Sequence, residues 1–236
     1  MIIYIEGNIG SGKSTFIDNL KRYIDDKGLY ALILQEPVKE WLKLKDSKGK
    51  NVLEHYYSDT KKYAFAFQMN AFISRVKDLV DFKKKYPNKL IFVERSVYTD
   101  KNVFCHMNYL NGNITEMEYK IYNQWFDFYS EHFDLKPDAY IYLKTDYNIC
   151  LERIKKRDRN GEDAIPIEYL KSLEEFHDSW LEGENKRDIE LKTINGNINY
   201  LKEKIKLNNV FKDIFNFTKM VEREKSNKRV KWLTGC

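Results

Sequence analysis

Five short apolar runs punctuate the chain, at residues 2–6, 30–35, 90–94, 139–144 and 189–194. Each is apolar on both faces or nearly so, the pattern of a strand buried between two layers of helices. Between them the period lengthens. Residues 14–27 read as a helix closed by Gly28, and residues 60–85 as a long, aromatic-rich helix ending before Pro87. Thr115, with Glu118 three positions on, opens a further helix that runs to about Phe133. Residues 146–159 and 167–181 complete the set. Strands alternating with helices require parallel crossovers, so the pattern predicts an α/β fold with a doubly wound, five-stranded parallel sheet. The last stretch, residues 219–236, is charged without a clear apolar stripe. It is expected as a tail or frayed helix behind one domain over residues 1–218.

Composition narrows the class. The 236 residues suit one sizeable α/β domain, and 42% hydrophobic with 15% aromatic residues is enough to fill a core, which excludes wholesale disorder. A charged fraction of 33% and a mean hydropathy of -0.66 fit long solvated helices. Lysine and arginine exceed the acids by 41 to 36. That excess suits a phosphate-rich ligand but lacks the clustering of a nucleic-acid surface, so no nucleic-acid partner is expected. Cys105, Cys150 and Cys236 form no C-x-x-C pair and read as inert thiols in a reducing compartment. No apolar run approaches the ~18 residues of a membrane span, and the first strand begins at Ile2, leaving no room for a leader. A cytoplasmic protein without a membrane partner is the expectation, in the host-cell cytoplasm if the source is viral.

The chemistry starts where the first strand meets the first helix. Gly7, Asn8, Ile9, Gly10, Ser11, Gly12, Lys13 and Ser14, followed by Thr15, spell a P-loop. The glycines let backbone N–H groups curl around phosphates at a helix N-terminus. Lys13 is expected to reach the β- and γ-phosphates and Ser14 to hold Mg²⁺. The carboxyl ends of the second and third strands should flank this loop at the topological switch point. Glu36, in E-P-V-K-E-W, and Glu94–Arg95, in F-V-E-R-S, stand there. Phosphoryl transfer needs a held acceptor, an orienter for its hydroxyl, Mg²⁺ and cations for developing charge. Glu36 suits the base, Glu94 a metal ligand, and Arg95 a bridge between acceptor oxygen and transferred phosphoryl.

With these blocks in place the chain resembles the deoxynucleoside kinases, most closely their deoxycytidine kinase branch. The resemblance runs from Ile3 to about Leu181 through E-G-N-I-G-S-G-K-S, E-P-V-K-E-W, the F-Q of A-F-A-F-Q, E-R-S-V-Y-T-D and R-I-K-K-R-D-R-N-G-E. It implies ATP as donor and Glu36 acting on the 5′-hydroxyl of a deoxynucleoside beside Arg95. It places Tyr57 and Glu162 on the 3′-hydroxyl, and Trp41, Phe67 and Phe104 around the base. Arg153, Arg157 and Arg159 correspond to a lid over the donor, at about residues 153–164. Gly161 stands where the family's lid often has a first glutamate.

On the long helix, Gln68, Ala71, Phe72 and Arg75 share one face. An arginine there needs a partner, and Asp100 is the candidate. In the family, an arginine and an aspartate at these positions mark enzymes that accept cytosine and purines. Gln68 offers a donor and an acceptor to a base edge, Asp100 accepts from an exocyclic amino group, and Ala71 leaves room beside the base. The alternatives are a thymidine-preferring or broad-range deoxynucleoside kinase, a nucleoside monophosphate kinase and a P-loop protein that only binds nucleotide. Resemblance further implies a homodimer packing the 60–85 and 115–133 helices.

Overall fold

A computed structural model describes residues 1–157, 165–183 and 189–234 of the chain, with side chains through residue 227. The central sheet follows from the apolar runs. Strands β1 (Ile2–Glu6), β2 (Ala31–Leu34), β3 (Leu90–Glu94), β4 (Ala139–Lys144) and β5 (Glu190–Asn195) are all parallel, in the order β2-β3-β1-β4-β5. Alternate residues of each central strand serve opposite layers. On one face Ile2, Tyr4, Ile91, Val93, Tyr140 and Tyr142 meet an aromatic core with Phe72, Tyr122 and Phe126. On the other, Ile3, Ile5, Phe92, Ala139, Ile141 and Leu143 pack with Phe16, Ile17, Leu20, Phe211 and Ile214.

Helix α1 (Lys13–Lys27) starts inside the P-loop and ends on a left-handed Gly28. Two short helices, α2 (Val38–Lys43) and α3 (Val52–Ser58), then lead into α4 (Thr60–Lys85). Pro37 stands at the N-cap of α2, and Asn51 with Glu54 forms a capping box at α3. After β3 the chain coils through α5 (Val97–Thr99), a π-helical stretch (Asp100–Cys105) and α6 (His106–Leu110). Helix α7 (Glu116–His132) carries the expected Thr115–Glu118 box; α8 (Tyr147–Arg157) and α9 (Ile167–Glu182) flank the described chain around the expected lid.

Besides the short helices α2, α3, α5 and α6, which the pattern does not mark, the structure departs from it at β2, at β5 and in a last helix that begins at Lys204. Strand β2 is shorter than residues 30–35, because Tyr30 lies outside it and is 89% exposed. Strand β5 is shifted by one residue and, as a sheet edge, is buried only at Ile194. The stretch from Lys219 is no separate tail at its start: α10 (Lys204–Thr234) runs through it unbroken. Leu207, Phe211, Ile214, Thr218 and Val221 are buried at helical spacing, so the core-facing stripe extends past residue 218 by one turn. From Glu222 to Asn227 the helix is mostly exposed, and Lys225 reaches back to Asp138 at 2.6 Å.

One buried group contributes a pH dependence of known sign to this fold. His177 on α9 is fully buried, donates from Nδ1 to the Leu173 carbonyl at 2.6 Å, and stacks on Tyr142. Burial first, then the charges of Arg95 and Lys13, hold its pKa well below the ordinary value, so it stays neutral while folded. Below about pH 6.5 the unfolded chain takes up a proton that the folded chain refuses, and stability falls as the pH drops. Between pH 6.5 and 5 this amounts to about 2 kcal/mol. His177→Gln should remove this contribution, so that the difference in stability between wild type and variant changes by that amount between the two pH values in melting curves.

Candidate functional site

The ends of β1, β2 and β3 converge on the P-loop. Backbone conformation there depends on glycine. Gly12, at the N-cap of α1, has φ 95°, and Gly10 has φ 76°. A Cβ on Gly10 would stand 2.4 Å from the Cys150 carbonyl of α8, so helix and loop touch backbone to backbone. Asn8 fastens the loop to α9 by donating to the Leu170 carbonyl at 2.8 Å, while its Oδ1 accepts from Ile9 N–H at 2.7 Å. Arg153 donates to the Ser11 carbonyl at 2.7 Å. Lys13 donates to the carbonyls of Gly7 and Asn8, at 2.9 and 2.7 Å. Burial, reinforced by the positive charge of Arg95, brings its pKa down to about 7.

Two carboxylates face the loop. Glu94, closing β3, accepts from Ser14 Oγ at 2.7 Å through Oε1 and from the Glu36 N–H at 3.3 Å through Oε2. Burial and the neighbouring Glu36 carboxylate raise its pKa. Glu36 lies just past β2; its Oε1 accepts from Arg75 and forms an ion pair with Arg95 Nε at 3.2 Å. Burial alone would raise the Glu36 pKa, but Arg75, Arg95 and Lys13 overcome it and hold the carboxyl at about 2. Arg95 itself sits in the left-handed region at φ 65°, with its guanidinium 4.8 Å above the Phe104 ring. Such a conformation is rare for a side chain of this size and turns the residue back into the crevice.

The far end of the cavity is built by α4 and the π-helical stretch. Arg75 Nη1 donates to both oxygens of Asp100 at 2.7 Å, and the guanidinium lies over Trp41 at 4.9 Å. Burial pushes the Asp100 carboxyl up to about 7, even with Arg75 and Arg95 pulling the other way. Phe67 meets Trp41 edge-on and stacks on Tyr56. The Oε1 of Gln68 is buried with no hydrogen-bond partner among the described residues. A buried carbonyl in that state is an acceptor awaiting a donor.

All these groups line one cavity of about 840 Å³. Of the residues expected from sequence, it brings together Ile9 to Thr15, Glu36, Trp41, Tyr57, Phe67, Gln68, Ala71, Arg75, Glu94, Arg95, Asp100, Phe104, Arg153 and Arg157. Gly7 and Asn8 form the root of the loop. Arg159 and Glu162 lie outside the described residues. Sequence reasoning missed the Arg75–Glu36 contact, the Tyr56–Tyr169 pair with hydroxyls 3.0 Å apart, and the Gly196–Leu201 wall beside α1. Tyr56 and Tyr169 carried no signal in a chain holding 17 tyrosines.

Sheet order, loop and cavity together define a P-loop kinase. The sequence model of the deoxynucleoside kinase family matches residues 3–221. The probable deoxycytidine kinase of fowlpox virus (strain NVSL) is 34% identical over 217 residues, covering 91% of this chain and 87% of that protein. Human deoxycytidine kinase is 34% identical over 245 residues, covering 94% and 89%. Human mitochondrial thymidine kinase 2 is 29% identical over 180 residues, covering 76% and 64%. The chain belongs to the deoxynucleoside kinase family.

Gly10 occupies a variable position of the P-loop pattern, yet the contact with Cys150 leaves no room for a side chain. Gly10→Ala should cost about 2 kcal/mol or more of stability and weaken triphosphate binding. Gly49→Ala, at φ 82° but with nothing within 4 Å, should cost only about 1–2 kcal/mol and leave binding intact. Thermal melting and a nucleotide titration of both variants check this.

Proposed function

We propose that this kinase transfers the γ-phosphoryl group of ATP to the 5′-hydroxyl of a deoxynucleoside, with deoxycytidine, and purine deoxynucleosides after it, preferred to thymidine. The observation that carries the base preference is the Arg75–Asp100 ion pair, which lines the same cavity as the unpartnered Gln68 carbonyl. Cytosine presents an amino group there, which Asp100 and Gln68 can accept. Thymine would present a carbonyl to that carboxylate, which repels it. The named relatives agree in tendency, deoxycytidine kinases at 34% identity against a thymidine kinase at 29%.

In this reading the 5′-oxygen forms the new P–O bond, the bond from the γ-phosphorus to the β–γ bridging oxygen breaks, and ADP leaves. The 5′-hydroxyl proton passes to Glu36. Because the transition state is loose, Glu36 contributes chiefly by aiming the hydroxyl, and a strongly acidic carboxyl can still do that. Arg95 stands between the acceptor oxygen and the transferred group, and Lys13 meets the β- and γ-phosphates. Arg153 and Arg157, joined by Arg159, form the lid over the donor. Tyr57 and Glu162 hold the 3′-hydroxyl, with Trp41, Phe67, Ala71 and Phe104 around the base. The hydroxyl of Ser14 and the carboxylate of Glu94, 2.7 Å apart, offer the hard oxygen ligands that Mg²⁺ takes, its other ligands being phosphate and water. Such an ion would neutralise charge on the phosphates.

On α7, Met117, Ile121, Trp125 and Phe128 form an exposed stripe, with Ile73 of α4 also exposed. This supports a homodimer through α4 and α7. A cytoplasmic setting suits the buried, unpaired Cys105 and Cys150, and no helix among the described residues is long and apolar enough to cross a membrane.

A kcat/KM panel over the four deoxynucleosides and cytidine tests the preference; thymidine ahead of deoxycytidine overturns it. Glu36→Gln should keep nucleoside binding and lose about 10²–10³ in kcat, and near-normal turnover would remove Glu36 from the role. Trp125→Glu should convert a dimer to a monomer in sedimentation velocity, whereas a monomeric wild type refutes the interface.

A further inference from the structure

We propose that Arg75 is a counter-ion shared between the nucleobase pocket and the catalytic carboxylate, so that Asp100 governs turnover by holding Arg75 partly away from Glu36. The proposal rests on the deoxynucleoside kinase reading of the cavity and adds to it a route from base identity to kcat. Arg75 and Asp100 are positioning residues in this scheme, acting through Glu36.

The geometry is that of one cation between two anions. Nη1 of Arg75 serves both Asp100 oxygens, and Nη2 serves Glu36 Oε1. The three residues come from α4, the π-helical stretch after β3 and the loop after β2, so this guanidinium joins elements that are separate in the chain. It has little freedom to move elsewhere. Its side chain is 7% exposed and lies on Trp41, whose indole N–H is in turn fixed to Ser74 Oγ at 3.0 Å. A confined guanidinium that leaves one carboxylate must settle on the other.

Glu36 Oε1 already forms an ion pair with Arg95 at 3.2 Å and accepts from Arg75. An acceptor hydroxyl therefore competes with two guanidinium groups for the same carboxylate. Any event that weakens Asp100 as a partner moves Arg75 further onto Glu36 and makes that competition harder. A base that donates to Asp100 leaves its carboxylate in place. A base that presents a carbonyl repels it and loosens its hold on Arg75. The wrong base should then lower kcat and not only raise KM.

The test is a kcat cycle on the full-length enzyme at saturating nucleoside and ATP. Asp100→Asn, which keeps shape but removes charge, should lower kcat about tenfold with deoxycytidine and much less with thymidine, whose carbonyl already loosens that hold. Adding Arg75→Met should restore most of that loss, a rescue that mere structural damage would not produce. An Asp100→Asn enzyme with unchanged kcat and a raised KM for deoxycytidine alone overturns the proposal, as does a double variant no faster than the single one. Wild-type turnover supplies a measurement that needs no variant to fold. Deoxyuridine differs from deoxycytidine only at the edge facing Asp100, and its kcat should be about tenfold lower; equal kcat values with different KM overturn the coupling. If thymidine proves the better wild-type substrate while the rescue by Arg75→Met stands, the base preference fails and the coupling survives.

Discussion

Charge buried in one crevice is the constraint on which the rest of this structure turns. Lys13, Arg75 and Arg95 face Glu36, Glu94 and Asp100 where the strands β1, β2 and β3 end. An isolated ion at such depth is far too costly to keep, so each must find its opposite and hydrogen bonds besides. The shifts show that they compensate unequally: the cations hold Glu36 at about 2 despite its burial, whereas burial prevails at Lys13 and Asp100 and brings each to about 7. Because α1, α4, β3 and the loop after β2 each bring one or more of these groups, the set ties the two halves of the cavity to one geometry.

That geometry demands backbone strain at one point. Arg95 follows directly on Glu94, and an extended chain would send successive side chains to opposite faces of the sheet. Both enter the crevice because Arg95 turns left-handed, at a cost of about 1–2 kcal/mol. Glu6, the last residue of β1, offsets this. Its carboxylate accepts from the N–H of Ser96 at 3.0 Å and from the hydroxyl of Thr99, pinning the residues after the turn. Ser96 then caps Thr99 N–H at 3.1 Å and starts the helical coil that delivers Asp100. The strand that leads into the donor loop thus also braces the turn that aims Arg95.

Much of this could be read before any coordinates. Buried strands announce themselves by continuous apolar runs, and all five were visible to within a residue or two. Helices α1, α4, α7, α8 and α9 have enough turns to show a period and a cap. Helices α2 and α3, at 6 and 7 residues, are too short to show one. The π-helical stretch breaks the 3.6-residue period altogether. The sequence of α10 from Lys219 on is charged without a clear apolar stripe, so it reads as a tail or frayed helix. In the site, the P-loop, Glu36, Glu94 and Arg95 were legible from motif and strand ends. The pairing of Arg75 with Glu36 was not, since it depends on how deep α4 sits against the end of β2, and spacing along a chain does not encode that depth.

The cavity is electrostatically divided. Its donor half is cationic, with Lys13, Arg153, Lys156 and Arg157 around glycine-rich backbone. Its other half is aromatic, and the two charges there, Arg75 and Asp100, cancel against each other. A triphosphate suits the first half and an uncharged ring suits the second. A nucleoside monophosphate would have to bring its own phosphate up to Glu36, where the cations that approach among the described residues, Arg75 and Arg95, already pair with that carboxylate. Glu36 stands at the boundary of the two halves, where an oxygen of the neutral ligand and the terminal phosphorus of the anionic one would have to meet.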